Sequence, residues 1–387
     1  MRGGAPGGPL GVMPADRPIL NDQERNGTML KVLHGADFHL DSPFSGLSPE
    51  RAARRRGELL ARLTDLARER EADLVLLSGD LLDGDLVFRE TVQVLARALG
   101  EIPCPVFLAP GNHDWYGPQS PYAALEWPGN VHLFTGPELG AVRLPELGCT
   151  VWGAAFCAPR QSASPLRGFH APAEGVQLAV LHGEVAAQGD YGPISEEDIA
   201  ASGLDYLALG HVHQYSGLRR AGETFWAYPG CPEGRGFDEC GEKGFVLLTV
   251  EDGSVAHEFV PFSARQLHRV PVDITGLTQN AQIAQRMKEQ ARGLSPEDMV
   301  EFLLTGESDP TADISAPYLQ QTLQGSFFFV KVKDESHLAL DADAYRNDVS
   351  LKGEFIRQVL ASELTDADKA AVIRAGLQAL SGEEISL

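Results

Sequence analysis

Four short apolar runs govern what this chain can fold into: Leu74 to Leu77, Val106 to Leu108, Leu178 to Leu181 and Tyr206 to Leu209. Each is short for a helix and is bounded by turn signals, the pattern of a strand buried on both faces. A fifth run, Leu30 to Leu33, comes before them. Helical patterns separate the runs, which predicts an α/β fold. Every run gives way within a few residues to a polar cluster holding Asp, Asn or His. Sheets of this class bind ligands beyond the carboxyl ends of their strands, so the clusters are expected to converge on one rim.

The clusters have the chemistry of a metal centre. Asp37-Phe38-His39 places two ligands on one side of an extended segment, because side chains alternate there with a period of two. Gly79-Asp80 puts a carboxylate just past a buried strand, where its two oxygens can bridge two cations and the glycine permits close backbone approach. Gly111-Asn112-His113-Asp114 offers an amide oxygen beside a histidine free for acid chemistry. His182 and the pair His211 and His213 complete the series. Oxygen and imidazole donors without thiolate suit Mn²⁺, Fe or Zn²⁺ better than Ca²⁺ or Mg²⁺. Two such cations about 3.5 to 4 Å apart would clamp a phosphoryl oxygen and acidify a bridging water. A lone D-x-H or H-x-H is weak evidence, but five ordered motifs of compatible chemistry are strong.

Composition narrows the setting. No apolar run approaches the roughly 18 residues needed to span a bilayer. No basic and apolar secretory leader stands at the N-terminus, so the expectation is a cytoplasmic protein without a membrane partner. Five cysteines form no C-x-x-C pair and read as reduced thiols. The formal charge of −22 opposes a surface-wide grip on DNA, which would rest on Lys and Arg neutralising phosphates. The arginines between Arg51 and Arg70 read first as a solvated helix face.

Four regions are expected. Residues 1–28, rich in Gly and Pro, form a disordered extension, and residues 29–262 form the catalytic domain. Residues 263–345 form a small α/β capping domain, with strands at Arg269 to Ile274, Met299 to Leu304 and Ser326 to Val332 and a helix at Asn280 to Arg292. Residues 346–387 form a helical, partner-binding tail; its second helix opens at a Thr365-x-x-Asp368 capping box.

With these residues the chain resembles the calcineurin-like metallophosphoesterase superfamily, and most closely its SbcD-type DNA repair exonuclease branch. The general motifs cover about residues 31 to 215. The closer likeness lies in His34-Gly-Ala-Asp37-Phe-His39-Leu-Asp-Ser-Pro-Phe44 and in Tyr228-Pro-Gly-Cys-Pro-Glu-Gly-Arg-Gly236. The resemblance implies a four-layer α/β/β/α sandwich followed by the capping domain and helices. It implies Asp37, His39, Asp80 and His213 around one metal, and Asp80, Asn112, His182 and His211 around the other, with Mn²⁺ the expected ion. It also implies that His113 is the general acid and that Asp114 orients its ring. Several nucleases of this branch carry a second catalytic histidine where this chain has Asp83. The implied function is a DNA exonuclease, endonuclease activity left open, working with an SbcC-type coiled-coil ATPase and with room for a homodimer. The alternative keeps the site and gives it small nucleotides or phosphoproteins.

Overall fold

A computed structural model describes residues 11–12, 29–42, 44, 46–84, 87–251, 254–308, 312, 314–338 and 345–381. The chain divides into two compact units, 1–264 and 265–387. Of the extension expected at 1–28, Gly11 and Val12 are described as a short strand, β1 (Gly11–Val12), paired with Val142 and Arg143. The rest of that expectation lies outside the described residues.

The first unit contains two sheets. One has six strands in the order β13 (Ser254–Pro261), β12 (Gly244–Glu251), β2 (Leu30–Gly35), β3 (Leu74–Leu77), β4 (Val106–Leu108) and β5 (Val131–Leu133). The other has seven: β1, β6 (Gly140–Leu144), β7 (Cys149–Gly153), β8 (Val176–His182), β9 (Tyr206–Gly210), β11 (Thr224–Ala227) and β10 (Arg219–Ala221). Period-two alternation sorts the side chains of each strand between two cores. Leu74 and Leu76 of β3 join Leu178 and Val180 of β8 in the core shared by both sheets. Val75 and Leu77 turn the other way, against helices α1 (Pro49–Glu69) and α2 (Arg89–Gly100). Helix α3 (Glu196–Ala201) sends Ile199 into the outer core of the seven-stranded sheet. The expected α/β/β/α layering follows. All four residues of β3 are buried, as a strand covered on both faces requires.

Strands β2, β3 and β4 run parallel, as do β8 and β9. Their carboxyl ends carry the polar clusters. Pairing continues past the strand ends: the amides of Asp37 and His39 donate to the carbonyls of Gly79 and Asp80 at 3.0 and 2.9 Å. A buried cross-sheet link lies beneath this rim, where His34 meets the Tyr206 hydroxyl at 2.9 Å and Ser78 Oγ at 3.0 Å. Burial lowers the pKa of His34 to about 3, so the link is made by a neutral ring.

The second unit has a parallel sheet ordered β14 (Leu267–Asp273), β15 (Met299–Thr305) and β17 (Phe329–Asp334), with helices α4 (Asn280–Gln290) and α5 (Ala316–Leu323). Val272, Ile283, Met287, Phe302 and Leu319 form its core. Short strands β16 (Glu307–Ser308) and β18 (His337–Leu338) pair beside it. Two helices, Leu351–Leu360 and Asp366–Ser381, pack through Ile356, Val359, Ile373 and Leu377. The amide of Asp368 donates to Thr365 Oγ1 at 3.2 Å, which is the expected cap.

Candidate metal centre

Backbone strain marks the rim before any side chain is considered. Asp37, His39, Asp80 and His211 have φ of 56°, 43°, 52° and 110°, values that side-chain-bearing residues rarely adopt. The first three sit in loops that must bend sharply while still pairing with one another. Two glycines make the crowding possible. A Cβ on Gly111 would lie 2.3 Å from Asp80 Oδ1, and one on Gly79 would lie 2.7 Å from the Gly111 amide. Alanine at either position would displace the Asp80 carboxylate or the loop beneath it.

The structure brings all seven expected ligands to one place. Asp37, His39 and His213 present donor atoms within 4.8 Å of one another, and so do Asp37, Asp80 and His182. Asp80 Oδ2 lies 3.6 Å from His39 Nε2 and 3.4 Å from His182 Nε2, between the two groups. The oxygen of Asn112 is 2.9 Å from His182 Nε2 and 3.2 Å from His211 Nδ1. The amide of His211 donates to both oxygens of Asp37, at 3.0 and 3.1 Å.

Outer partners decide which nitrogen each ring turns inward. His182 Nδ1 lies 2.9 Å from the Ser78 carbonyl, which only accepts, so its proton belongs there and Nε2 is left as a bare lone pair. His213 Nδ1 lies 2.7 Å from Glu239 Oε1, which only accepts, and 2.8 Å from the Arg235 guanidinium, which only donates, so these two hold the ring in place without fixing its tautomer. Burial costs Glu239 part of its ionisation, but hydrogen bonds from His213 and Arg235 outweigh it and hold the carboxyl below its ordinary range. Sequence reading passed over Glu239, because a glutamate in a glycine-rich loop has no local signature.

This arrangement fits a pair of cations. His39 Nε2 and His213 Nε2 face each other at 3.3 Å, an arrangement that needs a proton or a metal between them. Burial pushes the pKa of His39 to about 4, so its ring is neutral and can serve as a ligand. Asp37 and Asp80 are forced upward by burial, and for Asp37 the Asp80 carboxylate adds to the push. Divalent cations would restore the ionised forms, and the donor set of carboxylate, amide and imidazole suits them.

His113 stands at the open side, its ring nearly half exposed. Asp83 Oδ1 accepts from its Nδ1 at 2.9 Å and raises its pKa against the opposing effect of burial. The expectation that Asp114 orients this ring is corrected here. The buried Asp114 carboxylate receives the amides of Asp80, Leu81, Leu82 and Gly111 at 2.7 to 3.2 Å, and the Tyr122 hydroxyl as well. It holds the two ligand loops in shape, and a group saturated by five donors has no lone pair in position to steer its neighbour. Asp83, three residues past Asp80 rather than one past His113, reaches the ring because the loop after β3 folds over the loop after β4. Arg235 lies against His213 and Glu239, and its buried Nε has no acceptor among the described residues.

The sequence model of the Calcineurin-like phosphoesterase family matches residues 30–215, the stretch that contains all seven ligands. Over that stretch the chain is similar to the Calcineurin-like phosphoesterase family. A Bacillus subtilis (strain 168) protein described as the uncharacterized metallophosphoesterase YhaO is 31% identical over 267 residues, covering 64% of this chain and 64% of its own length. A crystal structure of a dimetal phosphatase from Danio rerio aligns over 60% of this chain and 99% of its own, at TM-score 0.39 and 12% identity. Among the described residues no helix is long and apolar enough to cross a membrane.

Proposed function

We propose that the protein is a two-metal phosphodiesterase acting on DNA as an exonuclease, with Mn²⁺ as the working ion. The observation that carries the reading is the bridging position of Asp80 between two ligand groups, beside an exposed His113 held by Asp83. Bound there, a pair of divalent cations would supply Lewis-acid polarisation of the phosphoryl group and a nucleophile at neutral pH.

The rest is the work of the chain. Asp37, His39, Asp80 and His213 would hold one ion, and Asp80, Asn112, His182 and His211 the other. Ser78 fixes the ring of His182 with Nε2 turned inward as a lone pair, and Glu239 with Arg235 holds the ring of His213 in place. Arg235 packs against His213 and Glu239 and holds that side of the site in place. His113, kept protonated toward higher pH by Asp83, donates its proton to the departing ester oxygen.

The choice of DNA rests on the segments His34 to Phe44 and Tyr228 to Gly236. The charge of −22 means that a long polyanion needs a basic partner, and an SbcC-type ATPase would provide one. Val349, just before the C-terminal helices, and Leu351, the first residue of the first of them, are 100% and 71% exposed and would suit such a contact. Truncation after Tyr345 should then abolish association with that ATPase and spare hydrolysis of a small diester. The same charge favours a second reading, in which the substrate is a small nucleotide or a phosphoprotein. An Mn²⁺-supplemented assay comparing linear duplex DNA with a chromogenic diester separates the two. Hydrolysis of the diester with no action on DNA, even with the ATPase present, would favour the small substrate.

A further inference from the structure

A cavity of about 650 Å³ opens beside the metal centre, and His39 and Arg235 belong to both. The loop after β2, the first half of α1 and the start of α2 enclose it, with Phe44, Leu47 and Phe88 among its apolar walls. Two of its arginines are already matched by acids, whereas Arg89 stands exposed at the start of α2. Arg55 pairs with Glu233, and Arg56 pairs with Asp41. Arg55 also lies over the Phe44 ring at 5.7 Å, and Phe44 meets Phe237 edge to face.

Phe88 is the telling residue. It is 66% exposed, so it gains little from the core. It also occupies the N-cap of α2, where it supplies no side-chain hydrogen bond and where Ser, Thr, Asp or Asn would stabilise the helix. Asp41 accepts the Phe88 amide at 3.1 Å and so takes over part of the capping. A sequence that gives up both burial and capping to keep an aromatic ring on the wall of a cavity is serving something other than the fold.

We infer that this cavity receives the nucleobase adjoining the scissile phosphate, an assignment that rests on the phosphodiesterase reading. A second phosphate would need unneutralised guanidinium groups within the cavity, but Arg55 and Arg56 are paired, which leaves it the exposed Arg89. A simple alkyl chain would need no charged pairs in the walls. A flat, uncharged heterocycle with polar edges satisfies the aromatic faces, the paired polar groups and the volume together. Arg235, at the junction, would then contact the phosphate that links base to metal centre.

Ala52 and Ala53, exposed on α1 and lining the cavity, allow it to be filled without touching the ligands. Ala52→Trp and Ala53→Trp are compared with Gly57→Trp on the same helix, where added bulk meets open space. Calorimetry with thymidine monophosphate should show binding weakened about tenfold by either alanine variant and by Phe88→Ala, and unchanged by Gly57→Trp. In parallel, KM should rise about tenfold for a p-nitrophenyl ester of thymidine 5′- or 3′-phosphate, with kcat held. Methyl p-nitrophenyl phosphate, which carries no base, should be hydrolysed by Ala52→Trp at the wild-type rate. Thymidylate binding unchanged in both tryptophan variants overturns the assignment, as does an equal loss on the base-free ester. An enzyme that cleaves none of these esters overturns the phosphodiesterase reading instead, and the binding measurement still decides the cavity.

Discussion

The rim of the first unit and the sheet of the second treat buried charge in opposite ways. In the second unit Glu301 is buried on β15 with Lys331 at 2.9 Å and Arg269 at 2.7 Å, and the two cations outweigh burial to hold its carboxyl below the ordinary value. In the first unit Asp37 and Asp80 are buried next to each other, and both are pushed upward. The backbones differ as well: every positive-φ residue other than glycine among the described residues lies in the first unit, four of them metal-ligand candidates. Paired charge serves the fold, whereas unpaired buried charge on a strained backbone, as at Asp37 and Asp80, marks a place where something else is to be bound.

The sharpest way to break this comparison is to remove the bridge. Asp80→Ala should leave fewer than two metals per chain by elemental analysis. It should also lower diester hydrolysis by about 10³-fold or more, since several kcal/mol of charge stabilisation depend on the pair. Two tightly held metals in the variant would show that Asp80 does not bridge.

His113→Gln should retain both metals and lose about 10²- to 10⁴-fold in kcat, the usual contribution of a proton donor. A wild-type rate across the pH range would remove His113 from the reaction. Asp83→Asn tests the corrected partnership and should cost about 10- to 100-fold. Because Asp83 raises the His113 pKa, its loss should move the alkaline limb of the rate profile to lower pH. Asp114 has no such link to the ring, so an unmoved limb in Asp83→Asn would return the orienting role to an unidentified group.

The smallest effect belongs to the second unit. The folded pKa of Glu301 lies below its ordinary 4.5, so its ion pairs stabilise the unit above that pH and are lost as pH falls through the folded value. Both partners are nearly half exposed, which limits the effect of Glu301→Gln to about 1 kcal/mol, a few degrees in Tm at neutral pH. That difference should shrink on acidification while activity is untouched. A large loss of activity would mean that the buried charge of the second unit also serves the reaction.

Strand positions and the residue types of the rim were legible in the sequence because both are local. Apolar runs such as Leu74 to Leu77 report their own burial, and the residue just past each run reports the chemistry of the rim. The expected second-unit strands at Arg269, Met299 and Ser326 fall within a few residues of β14, β15 and β17 for the same reason. What the sequence could not set was which side chain serves which. Asp114 adjoins His113, yet the fold turns its carboxylate toward four amides and a tyrosine. Asp83 comes from another loop and Glu239 from beyond the seven-stranded sheet, 26 residues past His213. The cavity walled by Phe44 and Phe88 exists only once the loop after β2 lies between α1 and α2. Periodicity and residue type are written along the chain, but hydrogen-bond partnership depends on loop closure and direction, which only the packed sheets impose.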